Sequence, residues 1–398
     1  TFKISLMVLT LYIDAITIVC CVSLIMLFFI SLFCNPFLRG RRLKKLALAN
    51  AEIEVDVTDA SATPVSIVIP ILEDAPELAT MVETVLQQEY AAPFRVILVA
   101  DKGNALVERL SAEHKGDKHL YCTFVPNSSR YMSRKKLTLT IGVKAAETDW
   151  VVIMEPTCVP TSCKWLASFT QSLTDDKRLV VGYTALDTDA KTSWRMQQFR
   201  SSFYILTRTL KGKPYCHAGG VVAIRKDDFM KRDGFSGNLN LLRGEYDFLV
   251  NKFGDEGSAA VALHPDAHTQ TKAPTLKEWR TLQLFFWETR KSLQRGGVIR
   301  FLFNLDNIML YLNYIVAAIC LAYGLIDERW FIVSLASANL LLTIVLRILF
   351  AHRAIKIFKA CIPAWRVIGF ELMVPWRKMR SYLKYMKADK YKFTSHKL

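Results

Sequence analysis

Residues 65–70 read Val65-Ser66-Ile67-Val68-Ile69-Pro70, a mostly β-branched run that ends at a proline. Such a short apolar run, bounded by a turn residue, is typical of a buried strand. An amphipathic helical pattern follows, and the same alternation then continues along the chain. The predicted elements are a helix at 76–88, strands at 94–99 and 120–125, a helix at 134–146 and a strand at 150–154. This alternation predicts an α/β fold, with a mainly parallel sheet and helices on both faces.

The ends of these strands carry an unusual concentration of acidic residues. Ligands of such sheets bind beyond the carboxyl ends of the strands. Six side chains are expected there, four of them acidic: Glu73, Asp74, Asp101, Lys102, Glu155 and Thr157. The sequence has neither a G-x-G-x-x-G pattern nor a phosphate-loop lysine, which argues against dinucleotide-binding and ATPase classes.

A charge-free apolar run from Ala15 to Cys34 precedes the α/β pattern and is followed at once by basic residues at 39–45. A helix needs about 20 apolar residues to span the hydrocarbon core of a bilayer. Because basic flanks stay on the cytoplasmic side, the sequence that follows is expected in the cytosol. A cleaved signal peptide is less favoured, since the run is long and its basic residues follow it.

Two further apolar runs, 307–326 and 330–346, are separated by the short acidic turn Asp327-Glu328-Arg329. Basic residues flank both outer ends, which predicts a membrane hairpin with its turn outside; the alternative is a pair of buried core helices. The tail beyond them mixes aromatic with basic residues and is interrupted by Pro363 and Pro375, so interfacial helices are expected there. Much of the net charge of +16 lies in these segments, which favours a membrane surface over nucleic acid as its partner.

Together these patterns divide the chain into five segments. They are an N-terminal anchor with its basic flank (1–45), a linker (46–62), a cytosolic α/β domain (63–290), an amphipathic segment with the membrane hairpin (291–351) and a basic interfacial tail (352–398).

Six segments, taken in order, resemble inverting family 2 glycosyltransferases of the GT-A type, in their membrane-anchored bacterial form. They are Val65–Pro70, Val96–Asp101, Ser133–Leu139, Val151–Cys158, Gly244–Asp247 and Gln283–Trp287. In that family the corresponding positions form the opening strand, the strand whose last aspartate contacts the nucleotide, a lysine-bearing helix start, the D-x-D strand, the acidic catalytic motif and the Q-x-x-R-W motif.

The resemblance implies transfer of a sugar from a nucleotide-sugar to a lipid-linked or growing glycan acceptor, at the cytosolic face of a bacterial inner membrane. A divalent cation, Mg²⁺ or Mn²⁺, would neutralise the diphosphate leaving group. A carboxylate would take the proton of the acceptor hydroxyl as it attacks the anomeric carbon, and inversion follows from that single displacement. Further protein partners in an envelope complex are expected, and nucleic acid is not.

The resemblance also assigns roles to individual residues. Catalysis falls to Glu245 and Asp247. Donor binding falls to Pro70, Glu73, Asp101, Lys135, Lys136, Glu155 and Thr157. Acceptor binding falls to His217, Gly219, Gly220, Gln283 and Trp287. The candidate metal ligands are Glu155, Thr157 and His268.

Three positions depart from the family pattern. Glu155-Pro156-Thr157 stands where D-x-D is usual, Glu245 stands for an aspartate, and Phe286 stands for the arginine of Q-x-x-R-W. These departures leave open an alternative, a degenerate transferase that serves as a scaffold in an envelope-assembly complex. Simpler interpretations also remain: the acidic pair at 245–247 can stabilise the start of a helix, and Trp287 can anchor an interfacial helix.

Overall fold

The structure is a computed structural model that describes residues 14–59, 61–72, 78–126, 133–294 and 296–394. Ten strands lie within these ranges: β1 (Val65–Ile71), β2 (Phe94–Asp101), β3 (Leu120–Val125), β4 (Trp150–Met154), β5 (Cys158–Pro160), β6 (Leu179–Val181), β7 (Thr184–Leu186), β8 (Val221–Arg225), β9 (Ala259–Val261) and β10 (Thr269–Thr271). The predicted strands at 65–70, 94–99, 120–125 and 150–154 are confirmed as β1 to β4.

Seven strands form the central sheet, in the order β3-β2-β1-β4-β8-β6-β9. The pairs β1–β2, β1–β4, β2–β3 and β6–β9 are parallel, whereas β8 is antiparallel to both β4 and β6. A second, smaller sheet has the order β5-β10-β7. The prediction of a mainly parallel sheet is therefore confirmed, with β8 as the inserted antiparallel strand.

The described helices alternate with the strands and then dominate the second half of the chain. They are α1 (Ala15–Cys34), α2 (Pro36–Arg39), α3 (Arg41–Ala51), α4 (Leu78–Leu86), α5 (Ala105–Glu113), α6 (Arg134–Ala145), α7 (Trp165–Thr170), α8 (Thr192–Leu210), α9 (Lys226–Lys231), α10 (Glu245–Phe253), α11 (Leu276–Ser292), α12 (Gly296–Ile326), α13 (Trp330–Ile357) and α14 (Val367–Met386).

The two faces of the sheet bury separate apolar layers, because successive side chains of a strand point to opposite faces. Val68 of β1 belongs to the layer that also includes residues of α6, α8 and α10. Its neighbours Ile67 and Ile69 belong to the opposite layer, with residues of α4, α5 and α7. Helices therefore cover both faces, as the sequence predicts.

Three described helices, α1, α12 and α13, are long and apolar enough to cross a membrane. They pack on one another around a small apolar cluster that includes Leu24, Ala317 and Ile332. The tail differs from expectation at Pro375, which lies inside α14 and does not end it. A proline removes one hydrogen bond from a helix. Packing of α14 against α11, α12 and α13 maintains the helix through this position.

Four buried charged residues connect the α/β domain to the apolar helices. We call them the junction cluster: Arg200 of α8, Asp306 of α12, Arg347 of α13 and Glu371 of α14. Asp306 accepts hydrogen bonds from Arg200 and Arg347, both at 2.6 Å. Glu371 accepts one from Arg347 at 2.8 Å. Each buried charge is therefore paired, as a low-dielectric interior requires.

Candidate active site

The first residues of α6 bring the ends of β2 and β4 into one charged site. Arg134 donates to Asp101, the last residue of β2, at 2.5 Å. Lys135 forms an ion pair with Glu155, which follows β4. We refer to Asp101, Arg134, Lys135, Glu155 and Glu245 as the strand-end cluster. Asp101 and Glu155 stay accessible, with 40% and 24% of their side chains exposed.

Glu245 belongs to this cluster through its charge. Burial opposes ionisation of Lys135, but the carboxylates of Glu155 and Glu245 together raise the pKa of Lys135. The Nζ of Lys135 also lies 5.2 Å from the ring centroid of Tyr246, the residue after Glu245. The end of β4 and the start of α10 thus both contribute side chains to the surroundings of the Lys135 ammonium.

Lys136 has a different environment from Lys135. Its side chain is buried, and its ammonium donates to the backbone carbonyls of Asn238 and Leu241. Burial lowers the pKa of Lys136 to about 8, although the charge of Glu245 opposes the shift. Lys136 therefore binds the segment that leads into α10, whereas Lys135 pairs with Glu155 in the strand-end cluster.

Glycine at position 220 allows β8 to begin directly beside Glu155. The Glu155 N–H donates to the Gly220 carbonyl at 2.8 Å. A Cβ at Gly220 would lie 2.4 Å from Cys158 Sγ and 3.0 Å from Glu155 Cβ, closer than real side chains approach. The preceding residue is equally restricted, because a Cβ at Gly219 would lie 2.3 Å from Thr184 Oγ1. Neither position accommodates a side chain, so the backbone itself forms this wall of the site.

Glu245 is the first residue of α10, and Gly244 before it has φ +98°, a value that favours glycine. Glu245 is only 3% exposed. Its Oε2 accepts from the Gly244 N–H at 3.1 Å, while its Oε1 is buried without a hydrogen-bond partner among the described residues. One carboxylate oxygen is therefore available to accept a proton or a hydrogen bond.

Asp247 is buried in the same turn of α10, and one of its two carboxylate oxygens is engaged. Its Oδ2 accepts from Arg290 of α11, with Thr289 Oγ1 3.5 Å away. His217 Nε2 lies 3.5 Å from Asp247 Oδ1, within ion-pair range but without a hydrogen bond. The other ring nitrogen of His217 donates to the Gly219 carbonyl. Asp247 thus connects α10 to α11 and orients His217 beside the strand-end cluster.

The described residues among the other predictions have partners of their own. Pro70 is buried in β1 beside Val99 of β2. Gln283 of α11 accepts from Gln197 of α8 at 3.0 Å, whereas Trp287 donates to Ser381 of α14 at 3.0 Å. Glu73 and Asp74 lie outside the described residues.

The described donor set does not form a cation site by itself. Glu155 is paired with Lys135, and the exposed Thr157 hydroxyl lies 3.2 Å from that of Thr271. His268 is buried against Tyr183 and Phe358, and burial lowers its pKa to about 3. Residues 14–394, apart from the gaps given above, contain no group of three or more His, Cys, Asp or Glu that could hold a metal ion.

Two site residues were not identified from the sequence. Arg290 is easily counted as a basic flank of the apolar hairpin, yet it is buried on Asp247 and its guanidinium carbon lies 4.4 Å from the Phe286 ring centroid. Phe286 stands where the Q-x-x-R-W pattern has an arginine, and Arg290 places a guanidinium one helical turn after it. Tyr246 is the other, with its ring between Lys135 and His217. The only available signal for Arg290 was its four-residue spacing from Phe286, which places both on one helix face.

Comparison with known proteins gives distant structural similarities. The mannosyltransferase PcManGT from Pyrobaculum calidifontis, solved in complex with GDP-Man and Mn²⁺, is 16% identical at a TM-score of 0.49, over 79% of this chain and 99% of that one. TarS of S. aureus is 9% identical at a TM-score of 0.40, over 62% of this chain and 42% of that one. No curated protein sequence matches the chain.

The family comparison covers most of the central sheet with Asp101 and Glu155, but not β9 or Glu245. Residues 66–232 match the model of glycosyl transferase family 2. This range contains β1 to β4, the start of α6 and the antiparallel strand β8. The α/β domain of this chain thus contains a region that matches glycosyl transferase family 2, and its mostly parallel sheet with helices on both faces is GT-A-like.

Proposed function

We propose that the chain transfers a sugar from a nucleotide-sugar donor to a lipid-linked or growing glycan acceptor at the cytosolic face of a membrane, with inversion. The observation that carries this proposal is the strand-end cluster. Its carboxylates come from three separate elements. Glu155 and Glu245 act on the cation of Lys135, Asp101 pairs with Arg134, and Glu245 keeps one oxygen free of partners among the described residues.

The donor binds, in this proposal, along the ends of β2 and β4. Asp101 has exposed carboxylate surface at the end of β2, where it can accept hydrogen bonds from the hydroxyls or base of a nucleoside. Lys135 places a positive charge beside the diphosphate, whose negative charge grows as the glycosidic bond breaks. Glu155 holds that ammonium in place until the diphosphate arrives.

Glu245 acts as the general base. The acceptor hydroxyl oxygen bonds to the anomeric carbon on the face opposite the diphosphate, its proton passes to the Glu245 carboxylate, and the nucleoside diphosphate leaves with the bonding electron pair. This single displacement inverts the anomeric configuration. Asp247 serves as a positioning residue, because its Oδ2 already pairs with Arg290.

The membrane arrangement is part of the proposal. Helices α1, α12 and α13 would cross the inner membrane of a bacterium, with the domain at about 63–290 in the cytosol. Basic residues flank the inner ends of the apolar runs, as expected for cytoplasmic flanks. The short 327–329 turn between α12 and α13 would lie outside.

The test uses the full chain purified into lipid nanodiscs. A panel of UDP- and GDP-sugars is incubated with lipid extract, and release of nucleoside diphosphate is measured together with the mass of the lipid products. Release that depends on the extract, with a product heavier by one sugar, supports the proposal. Absence of UDP and GDP binding, with and without Mn²⁺ or Mg²⁺, would overturn it in favour of the scaffold, which the pairing of Glu155 with Lys135 also allows.

A further inference from the structure

An open groove lies between α12 and α14, beside the end of α11. Its volume is about 710 Å³. Helix α12 contributes Ile308, Leu312 and Ile315 to one wall, and α14 contributes Met379 and Tyr382 to the other. The groove therefore follows a helix that is long and apolar enough to cross a membrane.

The walls of the groove present apolar side chains to the outside. Ile308, Leu312 and Ile315 are 52%, 41% and 52% exposed, and their spacing places them on one face of α12. Met379 and Tyr382 are 51% and 43% exposed. An apolar surface of this kind that continues into a membrane span is suited to a hydrocarbon chain.

One end of the groove is polar, at the side nearer the α/β domain. Lys378 of α14 donates to Asn304 of α12 at 2.7 Å, and its ammonium lies 4.7 Å from the Phe303 ring centroid. None of the described residues that line the groove is acidic. The nearby carboxylate of Asp306 is bonded to Arg200 and Arg347. The polar end therefore carries an amine that no carboxylate of the described residues accepts a hydrogen bond from.

A bound anion would stabilise the charged form of Lys378. Burial and then the positive charge of Arg200 lower the pKa of Lys378 to about 7, although the charge of Asp306 opposes the shift. A phosphate next to it would supply the negative charge that this end of the groove lacks.

Trp287 connects the groove to the candidate active site. It lines the groove, and its ring contacts Tyr382 with centroids 5.2 Å apart. Its neighbour Phe286 packs on the guanidinium of Arg290, which pairs with Asp247. Trp287 is thus linked to Asp247 of α10, two residues after Glu245, by three successive side-chain contacts.

We propose that this groove binds the acceptor as a phosphate-linked long-chain lipid. Its hydrocarbon chain lies between α12 and α14, and its phosphate lies at Lys378 and Asn304. From Asn304 to Ile315 the helix rises about 16 Å, enough for a substantial part of one chain. This inference rests on the proposed function, since it identifies the lipid class of the acceptor.

The probe is a polyprenyl phosphate with a diazirine in an isoprene unit near its phosphate, added to the full chain in phosphatidylcholine nanodiscs. After illumination, labelled peptides are identified by mass spectrometry. Labelling is expected on α12 around 308–315, and unlabelled polyprenyl phosphate should compete with it. Equal competition by phosphatidylglycerol would assign the groove to ordinary anionic lipid and overturn the proposal, as would equal competition by polyprenol without phosphate.

Two variants with matched controls test the two ends of the groove. Leu312→Trp fills the apolar part and should reduce labelling about tenfold, whereas Leu341→Trp on the exposed face of α13 should not. Lys378→Gln should raise the concentration of polyprenyl phosphate needed for competition about tenfold, whereas Lys384→Gln on the same helix should leave it unchanged. Unchanged binding in both groove variants would overturn the proposal.

Binding of UDP and GDP is measured on the same samples. Nucleotide binding and sugar transfer without labelling of the groove would contradict the groove assignment alone. Labelling of the groove without any nucleotide binding would contradict the proposed function and leave the groove as a lipid-phosphate site. The two failures are therefore distinguishable.

Discussion

The strand-end cluster and the junction cluster both combine carboxylates with arginine or lysine, but they differ in how fully the carboxylates are bonded. In the junction cluster all four oxygens of Asp306 and Glu371 accept from an arginine, and these side chains are 1% exposed. In the strand-end cluster, Asp101 and Glu155 each use one oxygen for an ion pair, and Glu245 Oε1 has no partner among the described residues.

This difference separates a structural role from a binding role. A saturated buried cluster cannot accept a ligand without breaking existing bonds, and breaking them is costly in a low-dielectric interior. A partly exposed cluster can exchange a side-chain partner for a phosphate or hydroxyl at small cost. We therefore expect substitutions in the two clusters to affect different measurements.

The largest effect is expected from Glu245→Gln in the strand-end cluster. Loss of the general base should lower the transfer rate by about 10³-fold, while nucleotide affinity stays within about twofold, because the amide keeps the size of the carboxylate. Turnover with a nucleotide-sugar and calorimetric binding of UDP or GDP measure the two quantities. Glu256→Gln, at an exposed position, is the control and should match the unaltered chain. Undiminished turnover in Glu245→Gln would remove that residue from the base role.

The next effect is on folding and comes from the junction cluster. Arg347→Met leaves the buried Glu371 carboxylate without its partner and should reduce the free energy of unfolding by about 3–5 kcal/mol. Denaturation of the full chain in detergent measures this change. The exposed Arg353→Met on the same helix should change it by less than about 0.5 kcal/mol. Equal stability of the two variants would contradict a structural role for the junction cluster.

A smaller effect on binding is expected from Lys135→Gln. Loss of this cation should weaken binding of UDP or GDP about tenfold. Because Glu155 is no longer neutralised in this variant, added Mn²⁺ should restore affinity more than it does in the unaltered chain. Lys144→Gln, exposed at the other end of α6, is the control for calorimetry. If Lys135→Gln binds nucleotide normally, Lys135 does not contact the diphosphate.

The smallest effect is expected from Arg134→Gln on stability. Its ion pair with Asp101 is partly exposed, at 30% and 40% of the two side chains, so the free energy of unfolding should fall by less than about 1 kcal/mol. The same denaturation experiment as for Arg347→Met applies. A loss as large as that of Arg347→Met would erase the distinction between the two clusters.

The regular part of the fold was predictable because it is encoded locally. The β-branched runs at β1, β2 and β4 and the amphipathic pattern of α4 indicate their elements within a few residues. The antiparallel insertion of β8 was not predictable, because Val221–Arg225 reads as a strand whatever its direction. The strands of the smaller sheet are three residues long, too short for a periodic pattern.

The sequence indicated which residues belong to the site better than it indicated which of them pair with one another. Lys135 and Lys136 are adjacent in sequence, and only the three-dimensional structure shows that one faces Glu155 and the other donates to carbonyls before α10. Pairing depends on side-chain direction, which a helix changes by about 100° per residue. Arg290 was missed for a related reason, since its partner Asp247 is more than forty residues away.

The start of α6 has a consequence for how this domain can vary. Three successive residues there serve three destinations, Asp101, Glu155 and the carbonyls at 238 and 241. Any one of these links can be altered by substitution while the other two persist. An insertion or deletion inside this turn would instead rotate every later side chain by about 100° and misdirect the links after it together. Relatives should therefore differ in residue type at these positions but not in the length of this turn.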